Sequence, residues 1–237
     1  MLAKVAVDEQ SRKMFEREIE TMRGLHHPNI VQLIDHGSAG SNFYFAMEFC
    51  PRGCVASLLR QKGRKLTLAE VGPIAVQILE GLTFAHEKGM VHRDIKPANI
   101  LLGEPKDEQA KIADFGLAKE FEKAGFSGMT ATGDVAGTPV FMAREQITNF
   151  KYAKPVTDIW SVAATLYFML TYEAPRDFRR DCDPMEVILR GEVVPIRNRD
   201  SSISQKVAEV IDQALKDDVK ERYQTAADFR SALLNTL

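Results

Sequence analysis

Disulfide pairing, a membrane span and a strong net charge are all missing from this sequence. Only three cysteines occur, Cys50, Cys54 and Cys182, too few for a cross-linked scaffold, and a reducing, cytoplasmic setting is the expectation. Cys50 and Cys54 have the spacing of half a metal site, but no second pair follows, so they read as ordinary thiols. The richest apolar stretch, Ile159 to Leu170, is broken by Ser161 and Thr165 and reads as a buried helix, with no membrane segment expected. No secretory leader, internal repeat or low-complexity tract is visible. The 31 basic and 33 acidic residues leave a net charge of −2, which excludes the basic field that nucleic-acid binding requires.

What is present suffices for one large core or two unequal lobes: 237 residues, 45% of them hydrophobic. Ser11 to Gly24 carries Met14, Phe15, Ile19 and Met22 at helical spacing, and His26-His27-Pro28-Asn29 then turns the chain. Ile30–Leu33 and Phe43–Phe49 are expected as two strands joined by a turn over 37–42. The composition then changes. Thr67-Leu68-Ala69-Glu70 is a capping box that opens a long helix to about His86, with Pro73 just past its first turn. Helices dominate from Thr157 onward; Asp183-Pro184 and Thr225-Ala226-Ala227-Asp228 mark two further starts. The expected class is α+β, with a small strand-and-helix part over 1–49 and a larger helical part over 50–237.

The chemistry is concentrated in two stretches. His92-Arg93-Asp94-Ile95-Lys96-Pro97-Ala98-Asn99 is followed, 15 residues after Asn99, by Asp114-Phe115-Gly116. Ile100-Leu101-Leu102 and Lys111-Ile112-Ala113 lie between them as the apolar strands of a hairpin. An alcohol is a poor nucleophile and must be aimed at phosphorus; the Asp94 carboxylate can orient it and accept its proton late. Lys96 can neutralise the transferring phosphoryl oxygens. Asn99 and Asp114 are oxygen ligands suited to Mg2+, which takes few protein oxygens and completes its shell with phosphates and water.

In order and spacing these motifs resemble the protein kinase family, and among its members the bacterial eukaryotic-like serine/threonine kinases. The resemblance runs from about Phe15 to the C-terminus. It implies a bilobal fold with a small N-lobe, a hinge near Cys50 to Gly53, a large mainly helical C-lobe and an active site in the cleft. It implies ATP and Mg2+ as cofactors and a protein substrate as partner, with no nucleic acid. Lys96 matches the serine/threonine branch. His92 and Phe115 become packing residues. Glu18 matches the helix glutamate that pairs with a phosphate-holding lysine, although Lys4 lies only 14 residues before it. No Gly-x-Gly-x-x-Gly occurs; the family's phosphate-covering loop would precede residue 1, so a truncated N-lobe is expected.

By the same resemblance, Met47-Glu48-Phe49-Cys50 is the hinge. Adenine would bond backbone groups of Glu48 and Cys50, Met47 would guard the rear pocket, and Leu101 would form the floor. Cys54 would lie near the ribose, a candidate for covalent inhibitors. Asp114 to Glu145 is the activation segment. Gly137-Thr138-Pro139 and Ala143-Arg144-Glu145 are its landmarks, with arginine in place of the family's proline. Thr138 would bond Asp94 or Lys96, Glu145 would pair with Arg222, and Asp158 would hold the catalytic-loop backbone. Arg93 would face the activation segment, where Asp134 stands in for a phosphate and Ser127, Thr130 and Thr132 are candidate phosphosites. Asn149 to Ala153 and Arg176-Asp177-Phe178 resemble a bacterial subgroup often fused to further domains outside such a chain. Two other readings compete: a non-catalytic kinase-fold module or inactive fragment, and a small-molecule phosphotransferase, a class that lacks the Gly-Thr-Pro and Ala-x-Glu landmarks.

Overall fold

A computed structural model describes residues 19–20, 22–39, 42–104, 109–115, 138–148, 154–179 and 181–237. The expectations for Lys4, Glu18, Ser127, Thr130, Thr132, Asp134 and 149–153, and for most of the first helix, lie outside the described residues. Ile19, Glu20, Met22 and Arg23 are helical, and buried Ile19 and Met22 pack on Leu33 with Phe45 and Met47 as a small core of their own.

Strand β1 (Leu33–Ala39) pairs antiparallel with β2 (Asn42–Met47), with an irregularity between Leu33 and Asp35. The first strand therefore begins where the sequence placed its end, and runs through Gly37 rather than turning there. Two physical reasons apply. Ile30 and Val31 are apolar because they are buried against the other half of the molecule: Ile30 bridges Ile112, and the Val31 N–H donates to the Ile112 carbonyl at 2.9 Å. Gly37 stays in the strand because the Tyr44 ring lies over it; an added Cβ would fall 2.7 Å from the phenol oxygen.

Gly53, at φ +68°, turns the chain into α1 (Val55–Lys62), a helix the sequence reading did not foresee, which Gly63 ends in the left-handed conformation at φ 58°. Helix α2 (Leu68–Glu87) starts at the anticipated capping box: the Glu70 N–H donates to Thr67 Oγ1 and the Thr67 N–H to Glu70 Oε2 at 2.7 Å. Lys62 and Arg64 also bind Glu70 and, with these bonds, hold its carboxyl well below the usual range. Pro73 lies inside this helix and removes the donor that the Ala69 carbonyl would otherwise use. By length and composition α2 could cross a bilayer, but Val71, Ala75, Ile78, Leu79, Leu82 and Ala85 are buried in the main core.

A 3-10 turn (Pro97–Asn99) leads into β3 (Ile100–Leu102), which pairs antiparallel with β4 (Ala110–Ile112), one residue earlier than expected. After a second 3-10 turn (Thr138–Phe141) come α3 (Arg144–Thr148), α4 (Pro155–Thr171), α5 (Pro184–Arg190), α6 (Ile196–Arg199), α7 (Gln205–Ala214) and α8 (Ala226–Leu234). The starts read at Asp183 and Thr225 are real caps, each accepting a backbone N–H with its side chain. Helix α4 is the central pillar: 14 of its residues are buried, Trp160 and Tyr167 completely. The main core joins α1, α2, α4, α7 and α8 to the β3–β4 hairpin.

Candidate active site

Asp158, in the first turn of α4, is fully buried, and its charge is satisfied by His86 of α2 and by the loop at His92 and Arg93. Oδ2 accepts the His92 N–H at 2.8 Å and meets His86 Nε2 at 2.8 Å; Oδ1 accepts the Arg93 N–H at 2.7 Å. Arg93 is thereby held at φ 69°, a conformation that L-residues with a Cβ resist. Asp114 is strained in the same way at φ 61°. Two of the three non-glycine residues at positive φ among those described are thus in the proposed phosphoryl-transfer motifs.

His92 is a structural hub. Its Nε2 lies 2.8 Å from the Ala113 carbonyl and its Nδ1 accepts the Asp94 N–H at 3.2 Å, which assigns the proton to Nε2. Both nitrogens are engaged, so the ring is no free base; it packs edge-on against Phe115 with centroids 4.7 Å apart. The second hairpin then brings Asp114 alongside. The Ala113 N–H donates to the Asn99 carbonyl at 2.9 Å, so the residue before Asp114 is stitched to the end of the loop.

Asp94, Lys96 and Asn99 share one corner. Lys96 Nζ is 2.9 Å from Asp94 Oδ2, the two side chains only 10% and 15% exposed. Asn99 Nδ2 donates to the Asp94 carbonyl at 2.9 Å and lies 3.3 Å from Asp94 Oδ2. With its amide nitrogen turned to Asp94, Asn99 presents Oδ1 as its ligand atom. Burial pushes the Asp114 carboxyl above its ordinary range, the Asp94 charge pushes it the same way, and Lys96 opposes the shift. A buried carboxylate beside a second carboxylate and an amide oxygen is a set of hard donors whose repulsion a divalent cation relieves, so these residues fit Mg2+.

The residues expected around the adenine also come together. Met47, Cys50 and Leu101 pack in one small apolar cluster with Val31 and Ala113. Burial pushes the Cys50 thiol up, and Glu48 adds to the effect. The Glu48 N–H is committed to the Gln32 carbonyl at 3.0 Å, so its carbonyl is what Glu48 can offer a base. Its carboxylate turns away from the cluster: Oε1 accepts the Gln32 N–H at 3.0 Å, and Lys111 Nζ lies 2.9 Å from Oε1 and 3.0 Å from Oε2. Cys54 bridges to Leu101, beside the expected floor.

At the far end of the expected activation segment, Glu145 and Arg222 form a two-pronged pair at 2.6 and 3.0 Å, with the Arg222 side chain fully buried. Removing one partner of such a buried pair costs about 3–5 kcal/mol. Arg144, where the family has proline, reaches the carbonyls of Ile188 and Gly191 at 3.2 Å each and Asp217 Oδ2 at 2.9 Å. Asp217 Oδ1 in turn accepts from buried Arg176 at 2.6 Å. Thr138 opens its 3-10 turn, but its side chain lies outside what the structure describes. The sequence reading missed Gln146, which is 2% exposed and donates to the Arg93 carbonyl at 2.7 Å. Lying between charged Glu145 and Ile147, in the run Arg144-Glu145-Gln146-Ile147-Thr148, it reads as one more polar residue and carries no local signal.

A mainly helical fold with a small sheet and these two linked loops is that of a protein kinase domain. The family profile described as "Protein kinase domain" matches residues 1–232, and the chain belongs to that family. It is 34% identical over 88% of its length to "Calcium/calmodulin-dependent protein kinase type 1" of Macrobrachium nipponense, of which it covers 58%. It is 32% identical over 98% of its length to "Serine/threonine-protein kinase PknF" of Mycobacterium tuberculosis, of which it covers 48%. The chain therefore spans about half the length of these two relatives. Among solved structures, Rad53 residues 1–466 in complex with AMP-PNP aligns over 95% of this chain and 56% of that one, with TM-score 0.76 and 27% identity. The Mycobacterium tuberculosis PknI kinase domain aligns over 98% of this chain and 82% of that one, with TM-score 0.73 and 22% identity, a likeness of fold.

Proposed function

We propose that this domain transfers the terminal phosphoryl group of ATP to serine and threonine hydroxyls of proteins. One observation carries the reading: Lys96 Nζ and the Asn99 amide both converge on Asp94, at 2.9 and 3.3 Å from Oδ2, in the loop stitched to Asp114. Kinship with serine/threonine-protein kinases and with a solved relative that holds AMP-PNP supports the hydroxyl acceptor and the ATP donor.

In this mechanism Asp94 orients the incoming hydroxyl and accepts its proton late. Lys96 neutralises charge on the phosphoryl oxygens as they pass. Asn99 and Asp114 would hold Mg2+, which would supply positive charge against the phosphate oxygens. Met47, Glu48, Cys50 and Leu101 receive the base, with the division between the smaller and larger parts at residues 49 and 50. Arg93 faces the activation segment, in which Asp134 is a fixed negative charge, Thr138 bonds Asp94 or Lys96 and Glu145 pairs with Arg222, and Glu18 is the partner of a phosphate-holding lysine. Three free thiols support a reducing compartment, the cytoplasm.

The test uses protein expressed from its complete reading frame, with magnesium, labelled ATP and a generic basic protein. Asp94→Asn keeps the shape of the loop and removes the base, and kcat should fall by about 10²–10⁴-fold with nucleotide binding retained. Equal transfer by parent and variant would exclude Asp94 from the chemistry.

A further inference from the structure

We infer that Gln146 is a positioning residue for Asp94, acting through the Arg93–Asp94 peptide. The inference rests on Asp94 being the carboxylate that orients the hydroxyl. The peptide plane is rigid, so fixing the Arg93 carbonyl and the Asp94 N–H fixes where the Asp94 backbone leaves the loop. Three bonds from described residues bear on this unit. Asp158 Oδ1 takes the Arg93 N–H at 2.7 Å, His92 Nδ1 takes the Asp94 N–H at 3.2 Å, and Gln146 Nε2 donates to the Arg93 carbonyl at 2.7 Å. The first two partners come from the pillar helix and from the loop itself. Gln146 alone of the three comes from α3, directly after the expected activation segment.

Arg93 needs this restraint. At φ 69° it occupies a well that an unrestrained arginine leaves readily, and such a conformation persists only where its surroundings over-determine it. Gln146 is itself fixed. It is 2% exposed, its Oε1 accepts the Ala143 N–H at 3.0 Å, and its own N–H donates to the Ala143 carbonyl at 3.0 Å. One amide thus spans two segments: its acceptor end reads the seating of Ala143, and its donor end aims the peptide before Asp94. When Ala143 is seated, the donor end is held on Arg93. A shift of the 138–143 segment rotates the amide and releases the catalytic loop.

Gln146→Glu separates the two ends. It keeps the size and the acceptor for Ala143, but sets a carboxylate oxygen against the Arg93 carbonyl. In protein from the complete reading frame, kcat should fall about tenfold to a hundredfold while KM for ATP stays at the parent value, as expected for a misaimed group. The deficit relative to the parent should shrink in acid, because a protonated glutamic acid donates again. Amides 92–96 should exchange hydrogen faster than in the parent, with α7 and α8 unchanged. Gln146→Leu, which removes both ends, provides the same readouts should the charged variant fail to fold, and its deficit should not respond to pH. Parent-like kcat and parent-like exchange in the folded variants would overturn the inference. So would a fall in kcat accompanied by an equal loss of ATP affinity and a pH profile parallel to the parent's, since that describes a merely structural residue. If the parent itself transfers no phosphate, the proposed function fails separately, and unaltered exchange at 92–96 would then refute the positioning role by itself.

Discussion

Asp114 carries a charge where burial resists it, and the sign of the consequence can be worked out. Its carboxyl titrates higher in the folded chain than in the unfolded one, chiefly through burial and then through Asp94. The folded state therefore holds the proton longer. Stability falls as pH rises through the window between an ordinary carboxyl, about 3.9, and the raised folded value, and the penalty stays constant above it. Asp114→Asn removes the penalty, so without nucleotide it should melt higher than the parent at pH 7 and converge with it in acid. Magnesium and nucleotide should raise the parent's Tm and leave the variant's unmoved. Melting curves across pH check both, and a parent that gains on the variant as pH rises would reject the assignment. At this scale Asp94, Lys96, Asn99 and Asp114 were legible because their chemistry is written in two local motifs. Gln146 was not, because its partner lies 53 residues away and one glutamine in a largely polar run carries no signature. Arg144 was visible as a departure from the family, but its three partners, on α5, beyond it and before Arg222, appear only in three dimensions.

At the scale of elements, local chemistry again predicted what it controls. The caps at Thr67, Asp183 and Thr225 were readable because each closes within three residues, whereas β1 was misplaced because Ile30 and Val31 are apolar for a contact with Ile112 that no local pattern encodes. The same contact decides a substitution on α2. Glycine inside a helix is ordinarily about 1 kcal/mol worse than alanine, so both Gly72→Ala and Gly81→Ala should stabilise on propensity alone. They meet different neighbours. A Cβ at 72 would fall 2.9 Å from the tip of the Leu237 side chain, which can swing away. A Cβ at 81 would fall 2.8 Å from the backbone oxygen of Asn29, and that oxygen already accepts the Ile112 N–H at 2.8 Å. The Asn29 side chain is fixed as well, donating to Gln77 and to the Ala110 carbonyl at 3.0 Å each. Gly72→Ala should be neutral or stabilising, and Gly81→Ala should destabilise by about 1–3 kcal/mol as an overpacked site. Chemical denaturation of the two variants checks the opposite signs; matching signs would mean that the Asn29 loop yields as easily as a side-chain tip.

For the whole molecule, the issue is how the part proposed to receive the base stays in register with β4, the strand that leads to Asp114. Among the contacts between the two are the Asn29–Ile112 and Val31–Ile112 backbone bonds, the Asn29 side chain on the Ala110 carbonyl, and the Glu48–Lys111 pair. The pair is the ionic member of this seam. Lys111 is 12% exposed and Glu48 27%, so water screens them only in part. Lys111 lies on β4, three residues before Asp114, and Glu48 carries the carbonyl proposed to meet adenine. The ion pair thus ties the edge proposed to bind the base to the edge proposed to bind the metal, without itself belonging to either set of ligands. Lys111→Met keeps the aliphatic stem and deletes the charge, leaving Glu48 held by the Gln32 N–H alone. A pair of this exposure is worth about 1 kcal/mol, so Kd for magnesium-ATP should weaken by no more than about tenfold, with KM for the protein substrate unchanged. Glu48→Gln should weaken it similarly, and the double variant should be little worse than either single one, because both remove the same interaction. Calorimetric titration of the four proteins measures this directly. Additive losses would mean that Glu48 and Lys111 contribute separately, and an unchanged Kd throughout would mean that the backbone bonds at Ile112 hold the register unaided.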